Sequence, residues 1–188
     1  MKKRRSLVMV ILVLVVSASI AGGLYYKRVT GSESTDDIIY IEPETAYRTF
    51  ADILAHETFK NKVVYVDFWF TACPYCAKEF KAMPALKEHF KAEKDLVFLY
   101  LGKDRRIPGE KFRWKKMIAN KNLTGAHYFM SIDQYRSIWE ETVKDPTVTP
   151  GFPHFLIVNR EGTIIDDDAP WPSDPELITV LKGVLASP

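Results

Sequence analysis

The longest apolar stretch stands at the start. Leu7 to Tyr26 (LVMVILVLVVSASIAGGLYY) runs twenty residues without a charge, enough helix at 1.5 Å per residue to cross about 30 Å of hydrocarbon. After it the pattern becomes that of a layered α/β domain. Asp37 to Ile41 predicts a short strand, and Glu44 to His56 a helix with Ala46, Tyr47, Phe50, Ile53 and Leu54 on one face. Val63 to Phe70 (VVYVDFWF) and Leu96 to Leu101 (LVFLYL) are continuous apolar runs, the signature of strands buried on both faces. Between them the pattern predicts a helix from Pro74 to about Lys91, kinked by Pro84. Further on it predicts a helix over Gly109 to Asn120 with Trp114, Met117 and Ile118 inward, a strand over Ala126 to Met130, and a helix over Asp133 to Glu141. The strands Phe155 to Val158 and Thr163 to Ile165 are joined by the turn Asn159-Arg160-Glu161-Gly162, and Pro175 to Ala186 closes the chain as an amphipathic helix. Strands alternating with helices, followed by a hairpin, predict a central mixed sheet, parallel in the middle and antiparallel at one side, flanked by helices.

Charge changes the reading of the head. The chain carries 26 basic and 24 acidic residues. Six of the basic ones (Lys2, Lys3, Arg4, Arg5, Lys27 and Arg28) lie within the first thirty residues, which hold no acid, so the rest of the chain is net −4. A net acidic body speaks against nucleic acid as a partner, since that role needs a basic face on the folded part. Met1-Lys2-Lys3-Arg4-Arg5 before the apolar run places the N-terminus in the cytoplasm and everything after Tyr26 across the membrane. Residues 1–27 thus read as a membrane anchor through residues 7–26, or as a cleaved signal peptide with Leu7 to Val16 as its apolar core and Ser19-Ile20-Ala21 as its cleavage site. Residues 28–36 are polar and contain Gly and Ser, a flexible linker. Residues 37–187 form the domain.

With 47% apolar and 13% aromatic residues the body can bury a sizeable core, and two cysteines exclude a disulfide-scaffolded fold. Both cysteines fall in Cys73-Pro74-Tyr75-Cys76, between a buried strand and a predicted helix. A helix N-terminus offers free N–H groups and partial positive charge, which stabilise a thiolate. The first cysteine would be the exposed, low-pKa thiol, and the second, one turn on, would resolve a mixed disulfide. Pro74 fits a first turn, where its missing N–H costs nothing. A structural zinc site wants four ligands, and His56, His89, His127 and His154 are scattered singly, so no metal is expected. A purely structural disulfide would close too short a loop to add much stability. Redox chemistry by the pair itself, with no other cofactor, is the favoured reading.

The run VVYVDFWFTACPYCAKEF, residues 63–80, resembles the thioredoxin superfamily. The anchored head and the stretch before Gly151 resemble the TlpA-like thiol–disulfide reductases of bacterial envelopes. The resemblance implies a thioredoxin-like fold over residues 37–187, with an N-terminal transmembrane helix. In Gly151-Phe152-Pro153-His154-Phe155-Leu156-Ile157-Val158 it implies that Pro153 follows a cis peptide bond and packs against the active cysteines; Pro150, three residues further from the strand, is the rival. Two acids complete the implied site. Asp67, six residues before Cys73, would be a buried carboxyl of raised pKa that takes and returns the resolving thiol's proton, unless it turns to solvent at the strand end. Glu79, one turn after Cys76, occupies the offset at which TlpA-like reductases carry a glutamate. Which of the two shuttles the proton is left open. Phe152, Pro74, Tyr75 and His154 would contact the substrate, and His154 could also tune Cys73. Trp69 and Trp114 read as core, and Trp171, between two prolines, as exposed or half-packed. Two positions depart from typical thioredoxins: Ala72 replaces the tryptophan before the first cysteine, and Pro84 lies later in the helix.

The expected function is an envelope-facing thiol–disulfide oxidoreductase, most directly a reductase of protein disulfides. The resemblance places it at the bacterial inner membrane, single-pass, with the domain facing the periplasm, or free in the periplasm if the head is cleaved. Electrons would come from a membrane redox protein, since the chain holds no nucleotide motif. An oxidant or isomerase of the same fold, a non-catalytic binding module and a Cu(I) chaperone using the cysteine pair stay open as alternatives.

Overall fold

The computed structural model describes residues 35, 37–42, 46–145 and 147–187. The anchor or signal segment expected over residues 1–27, and all but one residue of the linker expected over 28–36, lie outside the described residues. Among the described residues no helix is long and apolar enough to cross a membrane.

Six strands form one sheet: β1 (Ile38–Tyr40), β2 (Val63–Trp69), β3 (Leu96–Lys103), β4 (Gly125–Met130), β5 (His154–Val158) and β6 (Ile164–Asp166), in the order β1-β4-β3-β2-β5-β6. The first four strands of that order pair in parallel, and β2–β5 and β5–β6 pair antiparallel. This is the expected mixed sheet. The hairpin closes through Asn159, whose N–H donates to Thr163 O and whose side chain accepts the Thr163 N–H. Gly162 supplies the left-handed φ of +78° that the turn requires.

Among the described residues, six α-helices cover the two faces: α1 (Phe50–Leu54), α2 (Pro74–Glu79), α3 (Met83–His89), α4 (Glu110–Lys121), α5 (Ile132–Thr142) and α6 (Glu176–Ala186). Because side chains alternate along a strand, β2 feeds both layers. Tyr65 and Trp69 join Phe80, Met83, Leu86, Trp114, Ile118, Leu177 and Leu181 on one side, while Val64, Val66 and Phe68 join Phe50, Ile53, Ile138 and Trp139 on the other. Trp69 and Trp114 are core, as their sequence contexts suggested, and Met117 is half-buried.

Two helix expectations change. The helix read over 44–56 is, within the described residues, only Phe50–Leu54, because Thr49 and Asp52 close a capping box that starts it late. The helix read as one kinked rod from Pro74 to Lys91 is two. Lys81 and Ala82 donate in tight three-residue turns to Lys78 and Glu79, and Pro84 stands in the first turn of α3. A proline there has no N–H to give Phe80 and its ring crowds that carbonyl, so the rod breaks one turn earlier instead of bending.

Candidate active site

Strand β2 ends at Trp69, and four residues carry the chain into α2. The Cys73 N–H donates to Phe70 O at 3.1 Å, closing the turn. Cys73 is the N-cap of α2, in extended conformation, with Pro74 in the first turn. Its Sγ accepts the Cys76 N–H at 3.0 Å. The two sulfurs are bonded at 2.08 Å, with Cα atoms 5.3 Å apart. Cys76 is fully buried and Cys73 is 5% exposed. Ala72, Pro74 and Tyr75, the chain neighbours of Cys73, are exposed, and Tyr75 is among the most exposed large side chains of the domain. Of the two cysteines, Cys73 thus lies nearer the surface and Cys76 is the inner one.

Asp67 shares the pleat face of Tyr65 and Trp69, the face that packs with Cys73, Cys76 and Phe80. It sits mid-sheet, opposite Tyr100 of β3 and Phe155 of β5, so its carboxyl has no route to the strand end. The solvent-facing alternative for Asp67 is thereby excluded: it is 1% exposed, and neither oxygen has a hydrogen-bond partner among the described residues. Burial pushes this carboxyl well above the usual range, the charge of Glu79 pushes the same way, and Lys87 opposes them.

Glu79 ends α2 and is equally buried, with Oε2 accepting the Ser173 N–H at 2.9 Å and Oε1 without a partner among the described residues. The segment 169–173 reaches the site from beyond β6. Ala169 N–H donates to Phe155 O, and Tyr65 Oη donates to Pro170 O at 2.7 Å. Trp171 stays 40% exposed, tilted against Phe155.

Lys87 of α3 enters the same layer. Its Nζ donates to the carbonyl and hydroxyl oxygens of Thr124 and lies 4.8 and 5.0 Å from the ring centres of Phe98 and Tyr100. Burial lowers this ammonium to about 7, against the upward pull of Asp67. His127, fully buried and stacked on Tyr100 at 4.7 Å, is lowered by burial to about 3, so the neutral ring donates from Nε2 to Leu123 O.

The Phe152–Pro153 bond is cis, and Pro153 is buried at the head of β5, whereas Pro150 is exposed. Phe152 is half-buried, edge-on to Phe70 at 5.0 Å and stacked on Tyr135 at 5.2 Å, with Lys103 Nζ 5.1 Å above its ring. His154 goes elsewhere. It pairs in register with Phe68 and packs on Phe68 and Trp139, the layer opposite the disulfide. Its Nδ1 is 3.9 Å from Asp168, and burial lowers its pKa against that charge. The expectation that His154 tunes Cys73 or meets substrate beside it is corrected by the pleat: as neighbour of Phe155, it must face the other way.

The model of the Redoxin family matches residues 45–180. The chain belongs to the Redoxin family. Solved structures agree with that placement. The thioredoxin domain of a thiol–disulfide oxidoreductase from Bacteroides vulgatus is 30% identical over 67% of this chain and 81% of that one, with a TM-score of 0.51. A thiol:disulfide interchange protein from a Bacteroides species is 28% identical over 67% and 75%, with a TM-score of 0.52. A thiol–disulfide oxidoreductase from Bacteroides fragilis, 16% identical over 69% and 86% with a TM-score of 0.54, shares the fold. No curated protein matches. This Redoxin domain is a thioredoxin-like thiol–disulfide oxidoreductase, and its redox group is the Cys73–Cys76 disulfide. Among the described residues, no cluster of His, Cys, Asp or Glu is arranged to hold a metal ion.

Three partners of the Redoxin site carried no signal along the chain. Ser173 meets Glu79 across 94 residues, Lys87 reaches the Asp67 layer from α3, and Glu110 meets Thr71 across 39 residues. Each is a tertiary contact without local periodicity.

Proposed function

We propose that this Redoxin domain is a TlpA-like reductase of protein disulfides, held at the bacterial inner membrane by residues 7–26, facing the periplasm and recharged by a membrane redox protein. The observation that carries the mechanism is a buried carboxyl, Asp67, with no hydrogen-bond partner among the described residues, in one layer with a disulfide of which Cys73 keeps slight exposure and Cys76 none. In the reduced enzyme the Cys73 thiolate, stabilised by the Cys76 N–H at the N-terminus of α2, attacks a substrate disulfide. One substrate sulfur leaves as a thiolate and takes a proton, and the other stays bonded to Cys73. Asp67 accepts the Cys76 proton, the Cys76 thiolate attacks the Cys73 sulfur, and the second substrate thiolate leaves with that proton. The pair ends as the disulfide described above, and two electrons from a donor dithiol restore it. The partner's extended chain would lie along Phe152 and Pro153, adding backbone hydrogen bonds in the manner of an extra strand.

The test is the reduction potential of the pair in the full chain, read by thiol trapping and mass. A value near or below about −250 mV supports a reductase, and one above about −200 mV makes the domain an oxidant or isomerase. Cys76→Ser should accumulate mixed disulfides with partners, and Cys73→Ser should form none. Full disulfide reduction by Cys73→Ser overturns the mechanism.

A further inference from the structure

The turn that carries Cys73 is braced from outside the motif. Glu110 is the first residue of α4, where a glutamate ordinarily faces water and favours the helix dipole. Here its side chain is 2% exposed and turned inward. Arg105 grips it with a fork, Nε to Oε1 at 2.9 Å and Nη2 to Oε2 at 3.2 Å. Oε1 also accepts the Thr71 hydroxyl at 2.5 Å. Thr71 lies two residues before Cys73, inside the turn closed by Phe70 O. The parallel register sets Trp69 beside Gly102, so the segments leaving β2 and β3 run side by side, and Glu110 bolts one to the other.

Electrostatics explain why such a carboxylate is tolerated near a thiolate. Burial alone would raise Glu110, but the hydrogen bonds from Arg105 and Thr71 and the charges of Arg105 and Arg113 outweigh it, so the group stays ionised and paired. A paired carboxylate opposes a neighbouring thiolate far less than a bare one.

We propose that Glu110, held by Arg105, is a positioning residue for thiol–disulfide exchange: through the Thr71 hydroxyl it fixes the Thr71–Cys73 turn so that the Cys73 sulfur stays on the Cys76 N–H. The clamp rests on the reading above that Cys73 is the attacking thiol. Loss of the hydroxyl frees the turn, and a sulfur that leaves the helix N-terminus loses thiolate stabilisation. In the reduced full chain, the rate of Cys73 with a small disulfide, and the pH midpoint of its alkylation by iodoacetamide, are measured for Thr71→Val, Thr71→Ser and Glu110→Gln. Thr71→Val should react about tenfold more slowly, the scale of a hydrogen bond to a charged group, with its alkylation midpoint moved to higher pH. Thr71→Ser, which keeps the hydroxyl, should stay within about twofold of wild type, and Glu110→Gln should shift in the direction of Thr71→Val. The clamp is overturned if the wild type reacts and folded Thr71→Val matches it in both readouts, or if Thr71→Ser is as slow as Thr71→Val. If Thr71→Val does not fold, Glu110→Gln with the wild-type midpoint overturns it instead. An unreactive Cys73 in the wild type refutes the underlying mechanism, a result distinct from failure of the clamp.

Discussion

Replacing Asp67 by Asn should change stability and activity in opposite directions. The carboxyl is 1% exposed, both oxygens lack partners among the described residues, and burial lifts its pKa well above the usual value. The unfolded chain releases this proton near pH 3.9, the folded chain only at a higher pH. Between those limits the native state binds one more proton than the unfolded state, so the unfolding free energy falls as pH rises, by about 1.4 kcal/mol per pH unit. Below the unfolded pKa the penalty vanishes, and above the folded pKa it is complete. The Asn variant has no such slope. Urea unfolding of the oxidised protein, where neither cysteine titrates, should be followed from pH 4.5 to 6.5. That window lies below the Lys87 midpoint of about 7. The ionisable groups around Asp67, namely Glu79, Lys87, Tyr65 and Tyr100, are common to both proteins. The difference curve, variant minus wild type, should therefore climb with pH at up to about 1.4 kcal/mol per unit. For a domain of this size that is roughly 3–6 °C in Tm per pH unit. Meanwhile resolution of a mixed disulfide preformed on Cys73 should slow by about a hundredfold, the lower range for loss of a general base. Parallel stability curves would show that Asp67 is not the buried proton acceptor described here, whatever the activity does.

Other expectations follow the same geometry. A Cβ on Gly102 would stand 2.1 Å from Nε1 of Trp114, a fully buried indole wedged against Tyr40 and Phe129. Overpacking costs typically 1–3 kcal/mol, and replacing a strand glycine returns about 0.5–1. Gly102→Ala should thus lose roughly 1–2 kcal/mol in urea unfolding, less in a Trp114→Phe background, and a stabilised Gly102→Ala would refute the contact. Lys87 has a folded midpoint lowered to about 7 by burial, so above that pH the unfolded chain binds the extra proton and stability rises toward the unfolded pKa near 10.4. Lys87→Met should lack this rise between pH 7.5 and 9.5, measured again by urea unfolding, and identical slopes in the two proteins would remove Lys87 from the buried layer.

Much of the architecture was legible because its causes are local. The apolar run 63–70 followed by Cys73-Pro74-Tyr75-Cys76 states strand, turn and helix start within fourteen residues, and the hairpin is spelled by Asn159 and Gly162. The break between α2 and α3 is hard to place from sequence because a proline's damage falls on the carbonyl four residues earlier, at Phe80. The place of His154 follows from the pleat, which sends neighbours to opposite faces, and adjacency to Pro153 does not reveal it. The Glu79–Ser173 and Thr71–Glu110 bonds were invisible for a different reason: glutamate at a helix terminus is ordinary, and nothing in its neighbours announces that the helix turns it inward. Legibility thus ended where side-chain identity had to be joined to a partner fixed only by the completed sheet.

The sheet's borders bear on how the molecule avoids its own kind. Both edge strands, β1 and β6, are three residues long, while the strands between them run five to eight. An open edge is a template on which another copy can polymerise, and a short one offers few rungs. β1 covers the flank of β4 with Ile38, Ile39 and Tyr40, and β6 covers β5 through a bulged register beside Ile157 and Val158. Removing the three residues of β1 would leave β4 as a six-residue edge, and the same domain would gain a border on which fibres can grow.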